Sequence, residues 1–474
     1  MATSDLHYMG AVEALDLFRK KKLSPVELMD AVIARAQKVQ PKINSFSQTF
    51  YDEARDQAKK AEAKYAKGSR TRALEGLPLA IKDEETIKGL PASSGSLAYK
   101  DNIGEETTYI VERCFNAGGI MHARTTTPEF SCAGYTHTAL WGVTRNPWNT
   151  DYTPGGSSGG TGATLAAGAA TIATGSDIGG SIRIPASCSG VVGFKPPYGR
   201  NPQGHIFNLD FYCHSGPMAR SVADCALLQN VMAGPHPRDI ATVKPKMRLP
   251  LEYKSVKGMK IALSMDLGYC EVDKDVQKNT KAAVKKLKDA GAIVEEVDLG
   301  WTWSTLTAAT NYLSHLFGNV IGETMRRHRH VMMPYAVWIG EQGAKTDSAA
   351  FIESLQIAGE MYDTLGPILE KYDALICPTN ALSAVPADHD STTEPVYING
   401  KEVDPFLGWV MTYPFNIMSR CPVLSVPSGR DKKGVPTGLQ IVGRTYDDPT
   451  VFRIGAAVEA ADPWYTQASR RPKI

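Results

Sequence analysis

The sequence has no long apolar run, no surplus of either charge and no closely paired cysteines. Without a stretch of about 18 consecutive apolar residues, no transmembrane helix is expected. Met1 to Asp5 lead into a charged helical pattern rather than an apolar leader, so no signal peptide is expected either. Lys and Arg total 52 against 50 Asp and Glu, and the net charge of +2 gives no electrostatic ground for nucleic acid or an anionic membrane as partner. The eight cysteines stand at 114, 132, 188, 213, 225, 270, 377 and 421. None falls in a Cys-x-x-Cys pair and no histidine spacing completes a zinc pattern, so neither metal nor cofactor is expected. Buried free thiols in a reducing cytoplasm fit these absences.

What is abundant is glycine, 42 residues in 474, which implies many tight turns and close backbone approaches. The N-terminal segment, about 8–66, reads as helices. Ser24-Pro25-Val26-Glu27 has the form of an N-cap, a proline at N1 and an acid in the first turn, and Val26, Leu28, Met29, Val32 and Ile33 continue an apolar stripe. A second helix is expected from about Phe50 to Lys67, with its charges on a solvated face. From Gly76 the texture changes to short apolar runs between Gly, Ser, Thr and Pro clusters. Strands are expected at Leu77 to Ile81, Ile120 to Ala123, Met259 to Leu263, Ala292 to Val297 and Ala374 to Cys377. Helices are expected between them and again over about 303–371. This alternation gives an α/β class, with a large mixed, mostly parallel sheet covered by helices on both faces. The tract Arg326-Arg327-His328-Arg329-His330 reads as a solvated helix end.

The most unusual residues lie in the glycine- and serine-rich stretch of about 76–230. Pro154-Gly155-Gly156-Ser157-Ser158-Gly159-Gly160 precedes a run of small residues, Thr161 to Ala170, fit for a tightly packed helix. After a strand expected at Ala170 to Thr174 comes Asp177-Ile178-Gly179-Gly180-Ser181-Ile182-Arg183. One reading is an anion cradle of backbone N–H groups, but no P-loop lysine follows and no Gly-x-Gly-x-x-Gly register is present. A packed turn without chemistry is a second reading. The third is nucleophilic catalysis: a serine hydroxyl needs a base and an oxyanion hole. The N–H groups of Ile178, Gly179, Gly180 and Ser181 offer the hole, and the glycines leave room for a carbonyl to approach. No histidine sits in a Gly-x-Ser-x-Gly setting. Lys82, directly after the strand expected at Leu77 to Ile81, offers an alternative base, although a lone lysine there more often reads as a surface or ion-pair residue.

Three blocks together resemble the amidase signature family: Gly-Leu-Pro-Leu-Ala-Ile-Lys82-Asp83, Gly-Gly-Ser157-Ser158-Gly-Gly, and Asp177-Ile-Gly-Gly-Ser181-Ile-Arg183. Ser157 follows Lys82 by 75 positions and precedes Ser181 by 24, spacings also found in that family. Asn146-Pro147-Trp148, Gly193-Phe-Lys195-Pro196 and Gly434 to Gly443 look like it too, so the resemblance covers most of the chain. It implies a single domain over 1–474 with a catalytic core at about 76–230. It also implies an acyl-enzyme on Ser181, with Ser157 as proton relay, a cis bond between Gly156 and Ser157, and Lys82 as base. Gly155, Gly156 and Ser131 would border the substrate, and Ser158, Asp177 and Arg183 would support the site. For Asp177 and Arg183 a purely structural ion pair is as good a reading as a direct role. Lys82 is expected to be neutral, because buried among hydroxyls it would have no carboxylate partner, with Asp83 pointing to the opposite face.

The sequence departs from the family pattern at two places. Thr136-His137-Thr138-Ala139-Leu140-Trp141-Gly142 replaces a common Thr-x-Asn-Pro-x-Phe-Gly, which leaves Tyr135 and His137 as local novelties. Trp409-Val-Met411-Thr-Tyr413-Pro-Phe415-Asn-Ile-Met418 is apolar and aromatic where the amidase-like component of glutamine-dependent amidotransferases is more polar. If these side chains face the pocket, they favour a stand-alone hydrolase, monomer or homodimer, acting on small hydrophobic amides: anilides, aryl and alkyl amides, and carbamates, as in aryl acylamidases and urethanases. The alternative is the amidotransferase component, which makes ammonia for tRNA-linked transamidation.

Overall fold

The computed structural model describes residues 3–474. Ser24 opens the first long helix. Its hydroxyl accepts from the Val26 and Glu27 N–H groups, the Glu27 carboxylate accepts from the Ser24 N–H, and Pro25 fills the first turn. The helix, Pro25–Ile43, buries Leu28, Met29, Val32 and Ile33. The next, Tyr51–Ala66, buries Ala54, Ala58, Ala61 and Tyr65 and turns its charges outward.

Eleven strands form one sheet: β1 (Phe46–Thr49), β2 (Pro78–Lys82), β3 (Ile120–Thr125), β4 (Ile172–Asp177), β5 (Val192–Lys195), β6 (His214–Ala219), β7 (Lys260–Leu263), β8 (Ile293–Glu296), β9 (Ala374–Pro378), β10 (Val423–Arg430) and β11 (Pro436–Gly443). Their spatial order is β1-β3-β2-β4-β6-β5-β10-β11-β9-β7-β8. The α/β class and the mixed, helix-covered sheet are as expected. The parallel pairings lie in two flanks, β3-β2-β4 and β9-β7-β8, joined by an antiparallel middle. Helical connections cross over within the flanks, whereas β10 and β11 are joined by a short turn that forces antiparallel pairing.

Both faces are dry. Ile261, Leu263, Ile376, Leu424 and Ile441 belong to one buried cluster, and their neighbours Ala262, Leu375, Cys377, Val423 and Val442 to another. That alternation is the period of a strand covered on each side. The stretch expected to be helical at 303–371 folds as Ser304–Leu313, a π-helical turn at Ser314–Gly318, Asn319–His328, Pro334–Lys345 and Ser348–Lys371. Ala308, Tyr312, Ile321, Tyr335 and Leu365 from these helices join the second cluster. All eight cysteines are buried and free.

Candidate functional site

Lys82 ends β2, where parallel pairing with β4 brings it beside Thr174 and Ser176. The Lys82 N–H donates to Thr174 Oγ1 at 3.0 Å. The side chain is fully buried, and Nζ lies 2.7 Å from Ser157 Oγ and 2.7 Å from Ser176 Oγ. Asp83 opens the turn that follows and meets other partners: the hydroxyls of Ser47 and Ser93 and the guanidinium of Arg124.

The expectation that Lys82 has no carboxylate partner is wrong. Glu84 Oε2 stands 2.6 Å from Nζ and also accepts a hydrogen bond from Ser176 Oγ at 2.8 Å. Its side chain is 31% exposed, and that exposure is to a cavity. Burial pushes the Glu84 carboxyl up, but the charge and hydrogen bond of Lys82 outweigh it and hold the group below its ordinary range. Strand alternation could not have found it: β2 ends at Lys82, and Glu84 lies in the turn that follows, closed by the Glu85 N–H donating to the Lys82 carbonyl at 3.0 Å.

Ser157 sits at the end of the first glycine block, after a cis peptide bond with Gly156. A Cβ at Gly156 would lie 2.5 Å from the Tyr135 carbonyl oxygen and 2.6 Å from that of Ala133, so only glycine fits. Gly155 accepts a hydrogen bond from Thr136 Oγ1 at 2.8 Å. Ser158 ties the two glycine blocks together: its N–H donates to the Ser181 carbonyl at 3.1 Å, and its hydroxyl accepts from the Ser176 N–H at 3.3 Å.

The second block turns sharply after β4. Gly180 has φ +129°, a conformation that side chains disfavour, and a Cβ there would strike Thr412. Thr412 Oγ1 donates to the Gly179 carbonyl at 2.7 Å. Among the described residues, the N–H groups of Ile178, Gly179, Gly180 and Ser181 find no acceptor, and a Cβ on Gly179 would meet open space. Four unengaged donors beside a cavity can hold a developing oxyanion.

Behind this turn lies a buried polar network. Arg183 Nε and Nη2 donate to the two oxygens of Asp177, each at 2.9 Å, and Nη1 donates to the Thr412 carbonyl at 2.8 Å. Asn416 bridges the pair, accepting from Arg183 at 2.7 Å and donating to Asp177 at 2.8 Å. Burial pushes the Asp177 carboxyl up, but the Arg183 guanidinium outweighs it and holds the group below its usual range. Neither Asp177 nor Arg183 lines a cavity. Of their two readings, the geometry fits the structural one.

Two cavities meet at Ser131, Ile178 and Phe317. The smaller, about 190 Å³, holds Gly179 and Ser181 and is walled by Leu313, Phe317, Trp338, Ile339, Phe406 and Leu407. The larger, about 350 Å³, holds Ser157, Ser176, Glu84 and Glu85. Ser131 stands between them with φ +57°, after Phe130 at +52°. Two successive non-glycine residues in the left-handed region mark a tightly held segment. Neither cavity is lined by a lysine or arginine.

The sequence-based placement of the pocket aromatics needs correction. Trp409, Met411, Tyr413, Phe415 and Met418 are buried in the second core cluster and line neither cavity. Trp409 packs behind Gly134, Phe415 against Trp301, and the Tyr413 hydroxyl accepts from that of Tyr269 at 2.9 Å. Tyr135 and Trp141 line neither cavity either. Tyr135 stacks on His137 at 5.3 Å, and a His137 ring nitrogen lies 2.8 Å from the His389 carbonyl oxygen. The apolar walls come instead from the helices at 304–345 and the segment at 404–407. The π-helical turn aims Ser314 and Phe317 at the cavity. No local motif in the sequence marks these positions.

The family model for Amidase matches residues 27–452. An acylamidase of Rhodococcus erythropolis is 32% identical over all of this chain and 98% of its own length. The A component of the glutamyl-tRNA(Gln) amidotransferase of Desulforamulus reducens is 30% identical over 99% of this chain and 100% of its own. The solved structure of a bacterial aryl acylamidase of the amidase signature family superimposes with a TM-score of 0.90 at 30% identity, covering 97% of this chain and 98% of that one. With full-length relatives, a matching fold and three matching sequence blocks, the chain belongs to the amidase signature family and is an amide-hydrolysing enzyme.

Proposed function

We propose that this enzyme works as a stand-alone chain, monomer or homodimer, on amides with a hydrophobic acyl group: anilides, aryl and alkyl amides, and carbamates. Ser181 is the nucleophile, Ser157 the relay and Lys82 the base. The observation that carries this reading is the division of the two cavities around the unengaged N–H groups of Ile178 to Ser181. The acyl carbon bonds to Ser181, so the acyl group occupies the smaller, apolar cavity. The leaving nitrogen takes its proton from Ser157, so the amine half points into the larger one. Apolar walls favour apolar groups.

The amidotransferase reading draws support from the glutamyl-tRNA(Gln) amidotransferase relatives. Glutamine, however, carries an α-carboxylate, and neither cavity offers it a cation. The test is kcat/KM for a butyryl or benzoyl 4-nitroanilide and a 4-nitrophenyl carbamate against free glutamine. Preference for the anilide or carbamate is expected. Preference for glutamine, above all one stimulated by a partner protein or tRNA, would replace this reading with the amidotransferase.

A further inference from the structure

We infer that Glu84 is a fourth, positioning member of the catalytic chain, whose carboxylate stabilises the ammonium that Lys82 becomes when it takes the proton from Ser181 by way of Ser157. This rests on the proposed roles of those three residues.

The argument is a count of hydrogens around one nitrogen. Nζ has three neighbours within hydrogen-bond distance: Ser157 Oγ at 2.7 Å, Ser176 Oγ at 2.7 Å and Glu84 Oε2 at 2.6 Å. The Ser176 proton is committed to Glu84 Oε2 at 2.8 Å, so Ser176 Oγ accepts from Nζ. Glu84 Oε2, which takes that proton, accepts from Nζ as well. A neutral amine then spends its two N–H bonds on Ser176 and Glu84, and its lone pair is left facing the Ser157 hydroxyl. An ammonium fills all three directions. Glu84 and Ser176 thus aim the lone pair at the relay before the reaction and hold the positive charge after it. A hydroxyl alone performs the aiming; the charge compensation needs the carboxylate.

The step balances. Ser181 Oγ bonds to the acyl carbon as its proton passes to Ser157 Oγ, and the Ser157 proton passes to Nζ. The carbonyl π pair moves onto oxygen, facing the N–H groups of Ile178 to Ser181. When the C–N bond breaks, its electron pair stays with nitrogen, which takes a proton from Ser157, and the Lys82 ammonium restores that proton. Glu84 exchanges no proton in either step. The other titratable groups near Lys82 are Asp83 and Glu85, on the same turn, with Asp83 turned to Arg124, and the Cys213 thiol, which sits next to β6 and lines the larger cavity.

The test is Glu84→Gln, which keeps the shape and removes the charge, with Glu84→Asp as the conservative comparison. On an anilide, the plateau kcat of Glu84→Gln should fall about 10- to 100-fold with KM little changed. The acidic limb of its pH–rate profile should move to lower pH, because an ammonium without its counter-charge loses its proton more easily. Glu84→Asp should recover part of the plateau and return the limb toward that of the parent. A Glu84→Gln plateau within about twofold of the parent, or an unmoved limb in a protein of unchanged melting temperature, overturns the inference. Failure of the underlying reading looks different: Lys82→Ala or Ser181→Ala would then remain active.

Discussion

The centre of the site and its walls are built from different material. The centre comes from the ends of two adjacent parallel strands, β2 and β4, and from two glycine turns tied to each other by Ser158 and to Thr412 by hydrogen bonds. The walls come from helix faces at 304–345 and the segment at 404–407, where Leu313, Phe317, Trp338 and Phe406 are only partly buried. A strand end fixes a side chain through its neighbours on both sides. A helix face offers apolar surface that exchanges residues with little effect on anything else. Chemistry is therefore expected to respond to changes at the centre, and substrate choice to changes in the walls.

The largest effect should come at the proposed nucleophile. Ser181→Ala removes one hydroxyl facing open space, so kcat/KM on an anilide should fall by about a thousandfold or more while the melting temperature stays within about 2 °C. A fluorophosphonate should label Ser181, as peptide mapping would show. Activity retained in Ser181→Ala, with the label elsewhere, would break the comparison at its root.

Next in size is the frame behind the centre. Asp177→Asn leaves the fully buried Arg183 guanidinium without its counter-ion, and breaking such a pair costs about 3–5 kcal/mol. Trp409→Ala empties a core position and should cost a similar amount, about 3–5 kcal/mol. Urea unfolding midpoints measure both. If the aromatic stretch at 409–418 is frame and not wall, Trp409→Ala should leave the order of preference among acyl groups unchanged.

These expectations show where the sequence was informative. The two glycine turns that carry Ser157 and Ser181 were legible because tight turns and close approaches demand glycine at fixed neighbours, and Gly156 and Gly180 have no alternative. The helices were legible from caps and stripes, Ser24 to Glu27 above all. Glu84 was missed because the matching block ends at Asp83 and the chain turns there, so strand alternation says nothing of where the next side chain goes. The aromatics from Trp409 to Met418 were misplaced because composition does not say which side of a wall a side chain occupies. The true walls lie more than a hundred residues beyond the glycine blocks in sequence, and only the tertiary fold brings them together.

The boundary between centre and wall carries a smaller, pH-dependent effect. Glu85 is 4% exposed, lines the larger cavity and meets a hydroxyl, Ser215, at 3.4 Å rather than a cation. Burial first, then the Glu84 charge, pushes its carboxyl from 4.5 up to about 7. Between those values the unfolded chain has released the proton that the folded protein keeps. This group's favourable contribution is thus full below 4.5 and is lost as pH rises through about 7. Glu85→Gln should remove that slope, raising stability at pH 8 relative to pH 5 by about 1–3 kcal/mol compared with the parent. Equal slopes in the two proteins would show that Glu85 ionises freely.

The smallest effect on the molecule should be the most selective. Trp338 is half-buried on the helix Pro334–Lys345 and packs on Phe406 with ring centroids 5.4 Å apart at the rim of the smaller cavity. Trp338→Ala enlarges that cavity on its open side, so the core loses little and the melting temperature should move by less than about 2 °C. A long acyl chain loses its contact with the indole, while an acetyl group is too short to reach it. The ratio of kcat/KM for a hexanoyl anilide to that for an acetyl anilide should therefore fall about tenfold, as expected for the loss of a few methylene contacts in an apolar pocket. The measurement pairs Trp338→Ala with Trp409→Ala. A ratio that moves in the first variant and not in the second places specificity in the helical wall. The reverse would mean that the aromatic stretch at 409–418 reaches the substrate after all.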